Sequence, residues 1–140
     1  MGLVAIVAAI FLPAFFKLFQ SYRSETAVEQ ITMNIRFARM AAVKKRRNYR
    51  VVINADPTNT YQVLMDENKD SSFEKYPNAD TTMADGLEIM TGGITSITFN
   101  ARGAATIVGG NTIRVKSNDQ NIYRINVFTN GAVTKVRESP

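Results

Sequence analysis

Residues 1–20 read MGLVAIVAAIFLPAFFKLFQ, a run that is apolar from its first residue and carries no charge before Lys17. A helix that crosses a bilayer takes about 20 apolar residues, so the uncharged run 1–16 has the right composition and too little length. A secretory signal would put Lys or Arg ahead of the apolar core and small residues at its end, whereas this run ends on Phe15 and Phe16. A buried core helix is a second reading, because shorter apolar runs usually belong to cores. Against it, no residue of 1–16 offers a face to water, and Pro13 would kink a helix interior. The third reading is a membrane anchor whose opening residues lie upstream of Met1, and it accounts for both composition and length. It makes Val4, Ile6, Val7, Ile10, Phe11, Pro13, Phe15 and Phe16 the candidate membrane and assembly surface, with a kink expected near Pro13.

From that stretch to Arg47 no cluster of turn residues interrupts the chain. Val28, Ile31, Ile35, Ala38 and Ala42 recur at helical spacing and form one apolar stripe, while Met33, Phe37 and Met40 form a second on roughly the opposite face. One stripe fits the protein's own sheet. The other is either simply exposed or covered by a neighbouring chain. A helix over 1–47 spans on the order of 70 Å at ~1.5 Å per residue, about twice the width of a body built from the remaining residues, so it must project.

Beyond Arg47 the period changes to two. YRVVIN (49–54) and TYQVLM (60–65) flank ADPTN, whose Asp56-Pro57 and Asn59 are turn residues, and together they predict a hairpin. The polar stretch 66–86 reads as loop, and strands are expected over 87–91, 94–100, 112–116 and 122–129. The last turns at Asn130-Gly131 into 132–137. One long helix followed by antiparallel strands is an α+β layout: residues 1–21 as the anchor and assembly helix, 22–47 as its amphipathic continuation, and 48–140 as the β domain.

The order of these segments resembles the type IV pilin and type II secretion pseudopilin families. Residues 8–15, AAIFLPAF, fit the end of their N-terminal pattern FTLIELxVVxxIxxxLAAIAIPxF. Aligned on Pro13, the resemblance puts the family's basic leader, its processing site, the methylated first residue and the acidic residue near the mature N-terminus upstream of Met1. Within the superfamily the chain is most similar to the minor pseudopilin group called GspH or FimT. Residues 36–53 look like that group's "ARxxAxxRxxxVxI" junction, Ile97 to Gly103 like its "ITFxxxG" segment, and 123–137 like its closing "RxIxIxxxGxVxV" hairpin. The resemblance implies a pilin-like fold, an inner-membrane, single-pass subunit with its β domain on the outer side, and a place in a pseudopilus or pilus. The partners it implies are other pilin or pseudopilin subunits, the membrane, and the inner-membrane assembly platform with its ATPase.

Charge is unevenly spread. Residues 1–50 hold nine Lys or Arg against two Glu, and residues 51–140 hold eight against ten acids. Lys44, Lys45, Arg46 and Arg47, with Arg36, Arg39 and Arg50, are the strongest charge feature, and cations at a helix C-terminus complement the negative end of its dipole. They also suit nucleic acid, since cations beside Phe37 and Tyr49 can hold phosphates and stack bases. In FimT-like proteins a basic C-terminal motif is implicated in DNA uptake, and here the matching stretch keeps Lys135 and Arg137. DNA is therefore the alternative partner, with Lys44, Lys45, Arg46, Arg47, Arg50, Lys135 and Arg137 as its candidate contacts.

Asp66, Asn68, Asp70 and Ser72 alternate like the start of a calcium loop, but the required Gly and Glu are replaced by Ser71 and Pro77, so a solvated turn is expected and no metal site. With no His and no Cys, imidazole bases, thiol nucleophiles and the usual zinc ligands are excluded, and no phosphate-binding glycine loop or nucleophile elbow is present. The chain reads as neither an enzyme nor a cofactor protein.

Overall fold

The computed structural model describes residues 2–55, 58–76, 81–83, 86–118 and 120–138, with the backbone alone for residues 2–15, 17, 20 and 21. Helix α1 (Gly2–Lys45) runs unbroken through Pro13 for 44 residues, on the order of 66 Å at ~1.5 Å per residue. It stops two residues before the expected end, through a C-cap. Arg46 adopts a left-handed φ of 51°, and the Arg47 N–H donates to the Ala42 carbonyl at 3.2 Å, which satisfies a carbonyl that the last turn would otherwise leave open.

Two antiparallel sheets pack with the helix. The first contains β1 (Tyr49–Asn54), β2 (Thr60–Met65), β3 (Glu74–Lys75), β4 (Thr81–Thr82), β6 (Ile94–Phe99) and β7 (Ala105–Gly109), in the order β3-β2-β1-β6-β7 with β4 also on β2. The second contains β5 (Leu87–Ile89), β8 (Thr112–Ser117), β9 (Ile122–Val127) and β10 (Val133–Glu138), in the order β10-β9-β8-β5. The predicted 49–54/60–65 hairpin forms with Tyr49 opposite Met65, and the Asn130-Gly131 turn joins β9 to β10 with Val127 opposite Val133. Strand β7 falls where no strand was expected. Strands β3 and β4 likewise lie inside the stretch expected to be loop.

The helix contacts β1, β2 and β6 of one sheet and β8 and β10 of the other. Val28, Ile31, Ile35, Ala38 and Ala42 are fully buried, in one core with Tyr49, Val51, Ile97 and Phe99 of the first sheet and Val115 and Ile125 of the second. Each fully buried isoleucine contributes about 1.5–3 kcal/mol of transfer free energy. Polar contacts fix the docking angle. The buried hydroxyls of Ser24 and Ser117 meet at 2.8 Å, and the Asn34 amide donates to the Tyr61 hydroxyl at 2.9 Å. Among the described side chains Ser24 is the first that is buried, and those described before it are exposed, as for a helix that projects beyond the β domain.

Candidate assembly face and the helix–turn clamp

The second helical stripe is left open by the fold. Tyr22, Met33 and Met40 are 77%, 60% and 67% exposed, on the side opposite the core. They extend the exposed Phe16, Leu18 and Phe19 toward the helix C-terminus. Phe37 is partly covered by Tyr76, whose ring meets it edge-on at 5.7 Å, and a groove of about 750 Å³ opens there between Phe37, Met40, Val43, Lys44 and Tyr76. Of the predicted assembly residues, Phe16 is exposed, while the side chains of Val4, Ile6, Val7, Ile10, Phe11, Pro13 and Phe15 lie outside the described residues. Among the described residues no helix is long and apolar enough to cross a membrane.

The basic residues are dispersed. Arg47 donates to the Glu67 carbonyl at 2.6 Å, and Lys45 sits 5.5 Å from the Tyr76 ring. Arg50 stacks 3.9 Å from the Phe73 ring and donates to Thr98 Oγ1 at 3.1 Å. Lys44 and Arg46, both exposed, have no such engagement among the described residues. Lys135 pairs with Glu29 at 2.6 Å and reaches Glu25 at 4.0 Å, and Arg137 lies 6.0 Å from the Tyr123 ring. The hydrogen bond from Lys135, followed by its charge, holds the Glu29 carboxyl below the usual range. Lys135 docks beside Glu29, whereas Lys44 lies 15 residues further along the helix, about 22 Å at ~1.5 Å per residue. The structure therefore does not bring Lys135 and Arg137 together with the cluster at 44–47.

Asp66 departs from the expected solvated turn. Its N–H donates to the Asn48 carbonyl at 3.0 Å, Oδ2 lies 3.5 Å from the Asn48 amide nitrogen, and the buried Oδ1 has no hydrogen-bond partner among the described residues. The residue is buried because β2 carries its pairing with the chain before β1 one step past Met65. Asn68, Asp70 and Ser72 are exposed as expected. The Ser72 hydroxyl and backbone N–H both bond to Asp70 Oδ1 and lower that carboxyl. Among the described residues no cluster of acidic side chains is placed to hold a metal.

Sequence reading missed the role of Arg39. Its Nε donates to the Gly103 carbonyl and its terminal nitrogen to the Asn130 carbonyl, each at 3.2 Å, so one guanidinium holds the β6–β7 turn and the β9–β10 turn together. Both turns need glycine. Gly103 and Gly131 have φ of 80° and 82°, and a Cβ on Gly131 would stand 2.2 Å from the Gly103 oxygen and 2.5 Å from Arg39 Nε. The spacing of Arg39, Gly103 and Gly131 was visible in the quoted motifs, but their convergence was not. A profile of the family described as type II transport protein GspH matches residues 27–131, from the docked half of the helix through the second clamped glycine.

The chain belongs to the GspH family. Its fold is similar to that of the minor pseudopilin EpsH from the type 2 secretion system of Vibrio cholerae, with a TM-score of 0.66 and 16% identity over 81% of this chain and 96% of that one. It is also similar to the type IV minor pilin FimU of Pseudomonas aeruginosa, with a TM-score of 0.58 and 18% identity over 84% of this chain and 90% of that one. No curated protein sequence matches the chain. At such identities the likeness is one of fold, and within the GspH fold the clamp explains why the two turns sit against the helix.

Proposed function

We propose that this GspH-family chain is a minor subunit of a type II secretion pseudopilus or a type IV pilus. The N-terminal helix anchors it in the inner membrane as a single pass, with the β domain on the outer side, and packs against the helices of other subunits brought together by the assembly platform. Its work is assembly, without catalysis. The observation that carries this reading is the row of large exposed side chains Tyr22, Met33 and Met40, which follows the helix on the side away from the core, with Thr26 and Glu29 between the first two. Water-exposed side chains of that size in one line mark an interface. The clamp and the buried stripe support this reading by holding the opposite face of the helix against the protein's own sheets.

The cysteine-free sequence supplies the test. Single M33C or M40C variants, oxidised in cells that make the filament with cysteine-bearing partner subunits, are expected to cross-link to those subunits. Cysteine in place of the buried Ile35 is not. Cross-linking that is equally strong from the exposed Glu88, on β5, would refute helix-face packing.

A further inference from the structure

In β8 and β9 the residues Ile113, Val115, Tyr123 and Ile125 are buried toward the helix, so the alternating Arg114, Lys116 and Arg124 stand on the face turned away from it. Register sets Arg114 directly opposite Arg124, and Lys116 opposite Glu88. The Met90 N–H donates to the Arg114 carbonyl at 2.8 Å, so the Arg114 backbone bonds toward β5. Its pairing with Arg124 is therefore of the non-hydrogen-bonded kind, in which opposite side chains come closest. Like charges placed so are destabilising.

Acids attend two of the three cations. Glu138 forms an ion pair with Arg124, and Glu88 stands across from Lys116. Arg114 has no ion pair or side-chain hydrogen bond among the described residues, and its Nε is buried without an acceptor. A buried donor left unpaired costs more when the group is charged, and the planar fork of a guanidinium matches a carboxylate. One positive charge is left over on this face, which a single carboxylate balances. A nucleic-acid strand fits it less well, because its closely spaced charges would also face residues 51–140, where eight Lys or Arg stand against ten acids.

Apolar side chains flank the two arginines. Val136 lies opposite Arg124 and is 49% exposed, and the half-buried Met90 lies beside Arg114. The row Val136, Arg124, Arg114, Met90 thus crosses three strand spacings, about 14 Å at ~4.8 Å each. In an extended chain, residues i and i+4 point to one side about 13–14 Å apart, with residue i+2 midway between them. We infer that this face binds an acidic segment of a partner protein, laid extended across β10, β9, β8 and β5. Its Asp or Glu carboxylate is taken by Arg114 beside Arg124, and the apolar side chains two residues before and two after rest on Val136 and Met90. The face is turned from the helix, so packing of the helix against other subunits leaves it open.

The test uses the full chain in detergent micelles and the peptide acetyl-Leu-Thr-Glu-Thr-Leu-amide, with the Glu→Gln peptide as its control. The Arg Nε–H signals are followed by NMR, that of Arg114 being the one lost in Arg114→Lys. The acidic peptide is expected to shift the Arg114 signal saturably, and the Gln peptide to bind about tenfold more weakly or worse. Added salt should weaken the acidic peptide. Arg114→Gln should cut its affinity about tenfold or more, followed by tryptophan-free fluorescence of a dye on the peptide, while the Val115 and Ile125 amides keep their positions and report an intact fold. Met90→Ser combined with Val136→Ser, which leaves the arginines in place, should also weaken binding about tenfold. Equal binding of the two peptides, no saturable shift, or full affinity in either variant overturns the proposal. So does sodium acetate that shifts the signal as far at the same concentration, which would name a free carboxylate as the ligand, or a short oligodeoxynucleotide that displaces the peptide, which would name phosphate. Failure of the helix cross-linking leaves these readouts untouched, so the two ideas fail separately.

Discussion

Arg39 gives its guanidinium to two backbone carbonyls that no other side chain reaches among the described residues, and it is exposed while doing so. Arg39→Met keeps the stem packed and removes both bonds. It should lower unfolding stability by about 1–3 kcal/mol, read from urea melts. Gly131→Ala should cost about as much or more, because it adds a left-handed φ penalty to the collision with the Gly103 oxygen. Arg46 offers the opposite case. It occupies the left-handed cap position without a glycine, so Arg46→Gly should raise stability by up to about 1 kcal/mol. Glu29 carries part of the acid-side pH dependence, alongside Asp70. The folded pKa of Glu29 lies below the unfolded one, so the Lys135 pair stabilises above the unfolded carboxylate range and the gain is lost as pH falls through the lowered folded value. Glu29→Gln should therefore flatten the acid side of the stability curve, read from urea melts across pH.

Along the elements, what the sequence revealed follows from how local the signal is. The helix stripes and the 49–65 hairpin were legible because periodicity and turn residues lie within a few positions of one another, and the strand bounds there match to the residue. Strand β7 was not, because ATIVG sits between glycines with too few alternating positions to show a period. Strands β3 and β4 were hidden by charge and by threonines, since two-residue strands exist only through their partner β2. Asp66 was misread because its burial depends on Asn48, on the far side of the hairpin. The clamp was invisible for the same reason, its carbonyls being 64 and 91 residues from Arg39. On the helix itself, Ile35→Ala should destabilise the β domain by about 2–5 kcal/mol. Met40→Asp should leave the melting temperature nearly unchanged and abolish cross-linking from Met33, which separates the folding face from the assembly face.

At the scale of the molecule, the helix is held along its C-terminal half, where Ser24 is the first buried side chain among those described. The two sheets share the helix as their common support, and close to its end Arg39 ties a turn of each to the same side chain. A further bond passes directly between the sheets, from the Ala105 N–H to the Thr129 carbonyl. The arrangement bears on how the domain comes apart. A sheet cannot peel from the helix at these turns without releasing the guanidinium that also holds the other, so the β domain should melt as one cooperative unit, with amides of Val51 in one sheet and Ile125 in the other opening at the same free energy. Arg39→Met should split that unit, letting one sheet open before the other, and a subunit pulled by its helix would then yield in stages instead of all at once.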